Sequence, residues 1–382
     1  MTQLRALKLT LDNSEDLDTV DTDILATALP KLSFLTQLGI TFEGSWTFQE
    51  PTLLKFFEAF QSMKNLTDLA IDLGGCRFSY YYYEAGSILE SLQYVVGTSI
   101  QKLSLTLFQN FNNENLKELS TALKGLNLLQ GLSLDLFSWY KFSKEAFAGF
   151  CSALARLILL TSLSLYFPSG MTDNKIVQNI ASALMSLQNL MSLKLGLRFD
   201  NGAGDQQFQT LFTNLKCLKS LKYLEIQVAD QKKITDTSLE ALGESLKELN
   251  SLKSVSLDFS STPHITDKGI EALCYGIQEA SSSLVRLRLK FDKNENLCED
   301  SMYKLGKALQ ALVSLYAVEF CFRRCFKIAG FQGLFKTMGG MKNLEEIKLS
   351  LPYSEENDRE VCSLKKRKND LVISFFKNKN WI

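Results

Sequence analysis

The residue types that most often carry catalysis are sparse in this chain. It contains one histidine, His264, which stands beside Pro263 and directly before the apolar Ile265. A single histidine with no carboxylate or nucleophile at a meaningful spacing does not support the usual acid–base or triad mechanisms. The sequence therefore predicts an ordinary exposed loop histidine, no catalytic residue and no small-molecule substrate.

The cysteines and glycines also lack the spacing that cofactor sites need. Cys321 and Cys325 are four residues apart, whereas a structural zinc site needs four ligands, usually in tighter pairs. We expect Cys321 on the inner face of a strand, Cys325 in the next loop, and both as unpaired thiols. The pairs Gly74-Gly75 and Gly339-Gly340 lack the downstream lysine and hydroxyl residue of a phosphate-binding loop. No metal and no cofactor are predicted.

An apolar pattern, apolar-x-x-apolar-x-apolar-x-apolar, recurs along the chain at intervals of 29 to 34 residues. The last five residues of each copy alternate between apolar and other residues, which is typical of a strand with one buried face. A loop follows, and then an apolar series at helical spacing, as in Leu239, Leu242 and Leu246. The twelve copies begin at Leu4, Leu35, Leu66, Ile100, Leu129, Leu160, Leu190, Leu221, Leu252, Leu284, Leu315 and Leu344.

Stacking of these units determines the predicted fold. One strand–helix unit cannot bury its apolar face alone, so neighbouring units must complete the core. Right-handed helical crossovers make the sheet parallel. Strands pack ~4.8 Å apart and helices ~8–10 Å apart, so the array must curve. We predict an α/β solenoid, a horseshoe of about twelve strand–helix repeats, with the parallel sheet on the concave face and the helices on the convex face.

The repeat resembles the ribonuclease-inhibitor class of leucine-rich repeats, as in the segment Leu-Lys-Tyr-Leu-Glu-Ile-Gln-Val that begins at Leu221. Its regular style and its turns rich in lysine and asparagine are most similar to leucine-rich repeat proteins of ciliate protists. The resemblance covers roughly residues 1 to 351. In that class asparagine or cysteine usually follows the strand, but here the position varies, for example Asp12, Gly74 and Phe108. We therefore expect the turn backbone to be stabilised by other side chains than in that class.

The predicted domains are a leucine-rich repeat solenoid over residues 1–351 and a C-terminal cap with a basic segment over residues 352–382. The last repeat of a solenoid exposes one side of its core, and the apolar residues 371–376 and Trp381 suit such a cap. The basic run Lys365-Lys366-Arg367-Lys368 is interpreted as a solvated face of the cap. A nuclear-import signal and a contact for an acidic surface are the alternatives.

The inward-facing side chains of the strands form the first candidate binding surface. The middle strands present mostly small residues, which leaves room for a partner. Strand ten presents Arg286, Arg288 and Lys290 between Asp258 and Glu319. This arrangement is either a cross-strand charge ladder, worth ~0.2–1 kcal/mol per pair, or a docking site for an acidic partner segment with tyrosines as anchors. The candidate residues are Tyr166, Tyr223, Glu225, Asp258, Arg286, Arg288 and Lys290.

Aromatic residues in the strand-to-helix loops of repeats two to five form a second candidate surface. Consecutive loops stack on one edge of a solenoid, and recognition often lies in loops on a rigid scaffold. Tryptophan and tyrosine are also common at interface hot spots. The alternative is that these side chains fold back over the helix N-termini. The residues are Trp46, Tyr80, Tyr81, Tyr82, Tyr83, Trp139 and Tyr140.

Composition narrows the partners. Lysine plus arginine, 42, equals aspartate plus glutamate, 42, which argues against a nucleic-acid binder and gives no long-range attraction to anionic membranes. No apolar run approaches the ~20 residues that span a bilayer, and the first residues lack the pattern of a signal peptide. Scattered cysteines suit a reducing compartment. We expect a cytoplasmic protein, with a cilium or cytoskeletal setting suggested by the resemblance.

The predicted function is a non-enzymatic protein–protein interaction scaffold or adaptor. It would bind through the concave sheet and the loop edge, in a setting such as a ciliary axoneme that the resemblance suggests. One alternative is a GTPase-activating protein resembling the Ran regulator, whose strongly acidic tail contrasts with the basic end of this chain. Another is a nuclease-inhibitor-like binder, which would need an acidic concave face, whereas this face carries mixed charges.

Overall fold

The computed structural model describes residues 4–12, 19–43, 58–73, 92, 99–106, 113–136, 142–167, 174–197, 203–280, 283–325, 331–352, 359, 364 and 370–376. The chain divides into two compact units. The first comprises residues 1–171 and 182–190, and the second comprises residues 172–181 and 191–382.

Six strands of the first unit pair in parallel, in chain order. They are β1 (Ala6–Asp12), β2 (Gln37–Glu43), β3 (Asp68–Asp72), β4 (Lys102–Thr106), β5 (Gly131–Asp135) and β6 (Ser162–Phe167). The described helices of this unit are α1 (Thr19–Ala28), with the short 3-10 helix Leu29–Lys31 after it, α2 (Asn113–Gly125) and α3 (Lys144–Leu154).

The second unit repeats the same alternation, and its strands also pair in parallel in chain order. The strands are β7 (Ser192–Leu197), β8 (Tyr223–Gln227), β9 (Ser254–Asp258), β10 (Arg286–Lys290), β11 (Ala317–Cys321), β12 (Glu346–Pro352) and β13 (Asp370–Phe376). Its helices are α5 (Asp205–Leu215), α6 (Asp236–Leu246), α7 (Asp267–Ala280), α8 (Glu299–Ala311) and α9 (Gln332–Gly340). Helix α4 (Asn174–Leu184) begins in this unit and ends in the first.

All twelve predicted strands are present, and each begins two residues after the start of its apolar pattern. Alternation determines their two faces, because successive side chains of a strand point to opposite sides. In β10, Leu287 and Leu289 are buried, whereas Arg286 is exposed. The fold class is therefore confirmed as an α/β arrangement of strand–helix repeats on a parallel sheet, consistent with a leucine-rich repeat solenoid.

The tail contributes a strand that the pattern did not predict. Residues Asp370–Phe376 form β13, which pairs in parallel with β12 in the register Glu346 to Asp370. The apolar tail segment thus adds to the edge of the sheet in the second unit. The basic run Lys365 to Lys368 and Trp381 lie outside the described residues.

Aspartates at the helix starts connect consecutive repeats of the second unit. Asp205, the first residue of α5, accepts hydrogen bonds from the backbone N of Thr235 at 2.8 Å and from its Oγ1 at 2.6 Å. Asp236 binds Thr266 in the same way, at 2.7 and 2.6 Å. Helices α6 and α7 each begin at a Thr-Asp pair, at 235–236 and 266–267, and the carboxylate of each pair additionally binds the start of the next repeat.

The turns after β8 to β11 share a backbone conformation. Each contains one residue with positive φ, at Asp230, Ser261, Lys293 and Arg324, with values from 58° to 66°. The following residue is buried in each of these turns, and in the turns after β10 and β11 its side chain binds the preceding turn. Asn294 accepts from the backbone N of Thr262 at 2.8 Å and donates to the backbone O of Phe259 at 2.9 Å. Side chains four residues beyond the strand thus help to hold these turns. In the turn after β10 Asp292 does so as well, because its carboxylate accepts a hydrogen bond from the backbone N of Arg323 at 2.7 Å.

The core of the second unit includes a column of phenylalanines, one from each of three successive turns. Phe259, Phe291 and Phe322 each follow a strand directly, and their rings stack with centroids 5.8 and 6.1 Å apart. The loop residues Ile234, Ile265 and Leu297, each six residues after the last apolar residue of the preceding strand pattern, are fully buried. No helix of the described part of the chain is long and apolar enough to cross a membrane.

Candidate functional site

The exposed side of β8 to β12 carries a dense set of charges, which we call the charged face. The parallel register places Arg286 beside Ser254 and Ala317, and Arg288 beside Ser256 and Glu319. These side chains surround a shallow hollow of about 400 Å³. The charged face comprises Glu225, Arg286, Arg288, Lys290, Glu319, Glu346 and Lys348.

One of the three predicted cations is used in a cross-strand ion pair. An Nη atom of Arg288 lies 2.9 Å from a carboxylate oxygen of Glu319, its register neighbour. The Nε atom of Arg288 is buried and has no hydrogen-bond partner among the described residues. The charge-ladder interpretation therefore holds for Arg288, and such a partly exposed pair contributes about 0–1 kcal/mol.

Arg286 and Lys290 differ from Arg288. Within the described ranges neither of them forms an ion pair. Lys290 is the register neighbour of Asp258, but the Asp258 carboxylate accepts a hydrogen bond from the backbone N of Ser260 at 3.0 Å. Two cations thus stand at defined positions on the sheet, and no carboxylate of the described residues is paired with them.

Glu225 and Tyr223 lie on β8, one strand before β9. A carboxylate oxygen of Glu225 accepts from the Nε2 of Gln227 at 2.7 Å, and the other lies 3.7 Å from the Nζ of Lys194. Tyr223 is 52% exposed and shares Ser254 as a register neighbour with Arg286. An exposed aromatic ring and the exposed guanidinium of Arg286 therefore stand in one row, two strands apart.

Tyr166 belongs to the first unit, where it lies on β6 opposite Asp135 and is partly buried. The exposed side of this unit's sheet forms a groove of about 740 Å³ across β1 to β6. Small side chains leave this space open in the middle strands, because Ser104, Ser133 and Ser164 of β4 to β6 follow one another in one register row and line the groove. The prediction of a floor of small residues in the middle strands is confirmed for this unit.

An ion pair spans two strands at this groove. The Nζ of Lys102 lies 2.9 Å from a carboxylate oxygen of its register neighbour Asp68. Burial by itself would raise the pKa of Asp68, but hydrogen bonds from Lys102 and Thr67 outweigh it, so the pKa is lowered. Asp68 therefore stays ionised at neutral pH and keeps Lys102 in place.

The aromatic residues of the second candidate surface, in the strand-to-helix loops, are not among the residues that the structure describes. Trp46, Tyr80, Tyr81, Tyr82, Tyr83, Trp139 and Tyr140 all lie outside the described residues. The predicted loop-edge surface stays a prediction.

The residues first considered for chemistry have ordinary environments. His264 is exposed, as predicted. Cys325 is a free, fully buried thiol that donates to the backbone O of Phe291 at 3.0 Å, and burial raises its pKa to about 12. Cys321 is also free, but it is only 6% exposed although alternation places it on the open side of the sheet. Among the described residues, no three His, Cys, Asp or Glu side chains gather as metal ligands.

Two residues of the charged face were missed when candidates were chosen from the sequence. Glu346 and Lys348 of β12 line the same hollow as Arg286 and Arg288. Alternation along β12 places both side chains on this side of the sheet, so the sequence pattern alone could have identified them as candidates. Their proximity depends on the register of β11 with β12, which joins Glu319 to Lys348.

Comparisons with known proteins add little to this description. No family model matches the chain, and no curated protein matches it. Among solved structures, leiomodin-1 actin-binding site 2 is similar with a TM-score of 0.32 and 17% identity, over 42% of this chain and 87% of that one. A TM-score this low says nothing about function. The strand–helix repeats themselves, in both units, are those expected of a leucine-rich repeat solenoid.

Proposed function

We propose that this protein is a non-enzymatic interaction scaffold and that its charged face holds an acidic segment of a partner protein. The observation that carries the proposal is the pair Arg286 and Lys290, two cations on a rigid sheet that form no ion pair within the described ranges. Repeat scaffolds of this kind generally use the open side of their sheet as a binding surface.

The neighbouring charges favour one arrangement of the partner. A guanidinium binds a carboxylate through two parallel hydrogen bonds, so Arg286 suits an aspartate or glutamate side chain. Glu319 and Glu346 border the same hollow and repel a second carboxylate placed near them. Because like charges in contact suppress wrong partners, the mixed face selects for the position of an acidic residue as well as for its charge.

Tyr223 suggests the spacing of the partner's side chains. Tyr223 and Arg286 share a row two strands apart, which corresponds to ~9.6 Å at ~4.8 Å per strand. An extended peptide rises ~3.3 Å per residue. We therefore propose a partner segment that runs across the strands. It would carry an apolar or aromatic residue and, roughly three positions before or after it, an acidic residue.

The absence of catalysis is part of the proposal. Its support is that His264 is exposed with no predicted catalytic partner, and that Cys321 and Cys325 are buried with raised pKa values. A thiol with a raised pKa is a poor nucleophile near neutral pH.

Selection from a peptide display library followed by affinity measurement tests the charged face. We expect enrichment of aspartate and glutamate near an apolar residue, and a Kd that rises steeply with salt. In the variant Arg286→Glu/Lys290→Glu the Kd should increase at least about tenfold, because two attractions become repulsions. The charge-matched control Lys232→Glu/Lys268→Glu reverses two exposed lysines of the same unit outside the charged face and should bind like wild type. Enrichment of basic peptides, or equal binding by both variants, would contradict the proposal.

A cytoplasmic setting within a large assembly, such as a ciliary axoneme, completes the proposal and rests on the resemblance to ciliate leucine-rich repeat proteins. Expression of a fluorescently tagged chain in ciliated cells provides the test. An even distribution with no ciliary signal would remove the axonemal setting and leave the binding proposal intact.

A further inference from the structure

The helix side of the second unit contains a groove that the charged face does not include. It lies between α8 and α9 and has a volume of about 880 Å³. We call it the helix groove and define it by Tyr303, Lys307, Val313, Lys336 and Lys342. Buried Leu312 and Leu315 also contact this space.

The charges of the helix groove have one sign. Its lining contains three lysines and no carboxylate. Lys307, Lys336 and Lys342 are exposed, and in the part of the chain that the structure describes none of them forms an ion pair. Two other lysines of this unit differ, one on α8 itself and one directly after α6. Lys304 lies 2.8 Å from Glu271 and 2.6 Å from Asp300, and Lys247 lies 2.7 Å from Glu244.

The groove also exposes apolar surface. Tyr303 is 65% exposed and Val313 is 64% exposed. One repeat earlier, the exposed ring of Tyr275 is covered by the Nζ of Lys247 at 4.7 Å from its centroid. Within the described ranges no cation covers Tyr303 in this way. A Cβ added at Gly333 would meet nothing within 4 Å, so α9 leaves this space open.

We propose that the helix groove docks an acidic peptide segment that carries an aromatic or aliphatic side chain. The peptide's carboxylates pair with Lys307, Lys336 and Lys342, and its apolar side chain covers Tyr303 and Val313. Charge complementarity identifies this occupant, since the lining is purely cationic and an apolar ring stands among the cations. A polyanion without apolar side chains leaves Tyr303 and Val313 exposed. The zero formal net charge of the chain disfavours nucleic acid, which binds proteins mainly by counterion release.

Fluorescence anisotropy with a labelled peptide of glutamates around one tryptophan tests the proposal on the full chain. The groove variant Lys307→Glu/Lys336→Glu should raise the Kd at least about tenfold. Tyr303→Ala should raise it by a smaller factor, about three- to tenfold, because it removes the aromatic contact and leaves the charges. The control Lys232→Glu/Lys268→Glu reverses two exposed lysines elsewhere in the same unit and should leave the Kd unchanged.

The face variant Arg286→Glu/Lys290→Glu separates this site from the proposed function. If only the groove variant loses the peptide, the helix groove is a binding site in its own right. If only the face variant loses it, the inference is wrong and the proposed function stands. Equal binding by a glutamate peptide without tryptophan would overturn the proposal. The proposal would also be overturned if an RNA oligonucleotide or phosphatidylserine vesicles bound more tightly than the peptide and the groove variant abolished that binding. All substituted residues are exposed except Lys290, which is half-buried, and thermal unfolding of each variant checks that it folds.

Discussion

At the residue scale, the carboxylate of Asp205 joins two repeats of the second unit. It accepts hydrogen bonds from Thr235 and from the hydroxyl of Ser238 at 2.6 Å. Burial alone would raise the pKa of Asp205, but the bonds from Ser238 and Thr235 outweigh it, so the pKa lies below the ordinary 3.8. A carboxylate with a lowered pKa stabilises the fold above its unfolded pKa, and this contribution disappears as the pH falls through the folded pKa.

Asp205→Asn should therefore lower the free energy of unfolding at pH 7 by about 1–2 kcal/mol, because a hydrogen bond to a charged acceptor contributes more than one to a neutral acceptor. The difference from wild type should begin to shrink below about pH 4, where the carboxyl of the unfolded chain becomes protonated, and should disappear as the pH falls through the lowered folded pKa. Urea unfolding at pH 7 and pH 3 measures this difference. Glu240→Gln, at an exposed position of α6, is the control. A difference that is the same at both pH values would contradict the assigned ionic role.

Asn294 holds two successive turns from inside the core, where it is fully buried. Asn294→Ala removes the acceptor for the backbone N–H of Thr262, which lies in the core, and should destabilise the fold by about 1–3 kcal/mol. Asn294→Cys is the informative comparison, because Cys325 occupies the matching position one repeat later and donates to the backbone O of Phe291.

Thermal and denaturant unfolding of both variants checks this prediction. We expect the cysteine variant to lose less stability than the alanine variant, since its thiol can donate to Phe259 as the Asn294 amide does. Equal losses would mean that packing alone determines this position.

At the element scale, α6 and α7 approach each other through glycine backbone. A Cβ added at Gly276 would lie 2.2 Å from the backbone O of Gly243, and one added at Gly243 would lie 2.4 Å from the backbone O of Ala272. Side chains at these positions would force the two helices apart. The two glycines are therefore needed because they lack a Cβ, which allows α6 and α7 to approach closely.

Gly276→Ala should destabilise the protein by about 1–3 kcal/mol, the usual cost of overpacking. Gly149→Ala provides a control of opposite sign. Gly149 lies in α3, where an added Cβ meets nothing within 4 Å, so helix propensity should stabilise the protein by up to about 1 kcal/mol. Melting temperatures of the two variants should move in opposite directions. A stabilised Gly276→Ala variant would show that the helices can separate at little cost.

At the scale of the whole molecule, each repeat depends mainly on its neighbours. A local defect should then stay local. In Asn294→Ala, hydrogen exchange should accelerate most in β9, β10 and β11 and change little in β2 and β3 of the first unit. Exchange followed by mass spectrometry resolves these segments. Uniform acceleration over all described strands would indicate that the chain unfolds as one cooperative unit.

Prediction from the sequence was most successful where a structural feature repeats locally. The apolar period located all twelve expected strands, and alternation assigned Leu287 and Arg286 to opposite sides of β10. It failed to find β13, because this strand lacks the full pattern. The sequence also could not decide whether strand ten forms a cross-strand charge ladder or docks an acidic partner segment. Both interpretations need the same three cations in the same register.

The sequence by itself determined the repeat, the parallel order of the strands and the exposed positions, because these follow from periodicity and short connections. Only the tertiary structure decided that Glu319 pairs with Arg288 while Arg286 and Lys290 form no ion pair in the described ranges. It alone showed that Lys307 and Lys336 share one groove. Such pairings depend on distances between side chains about thirty residues apart in the chain, and those distances are set by how neighbouring repeats stack.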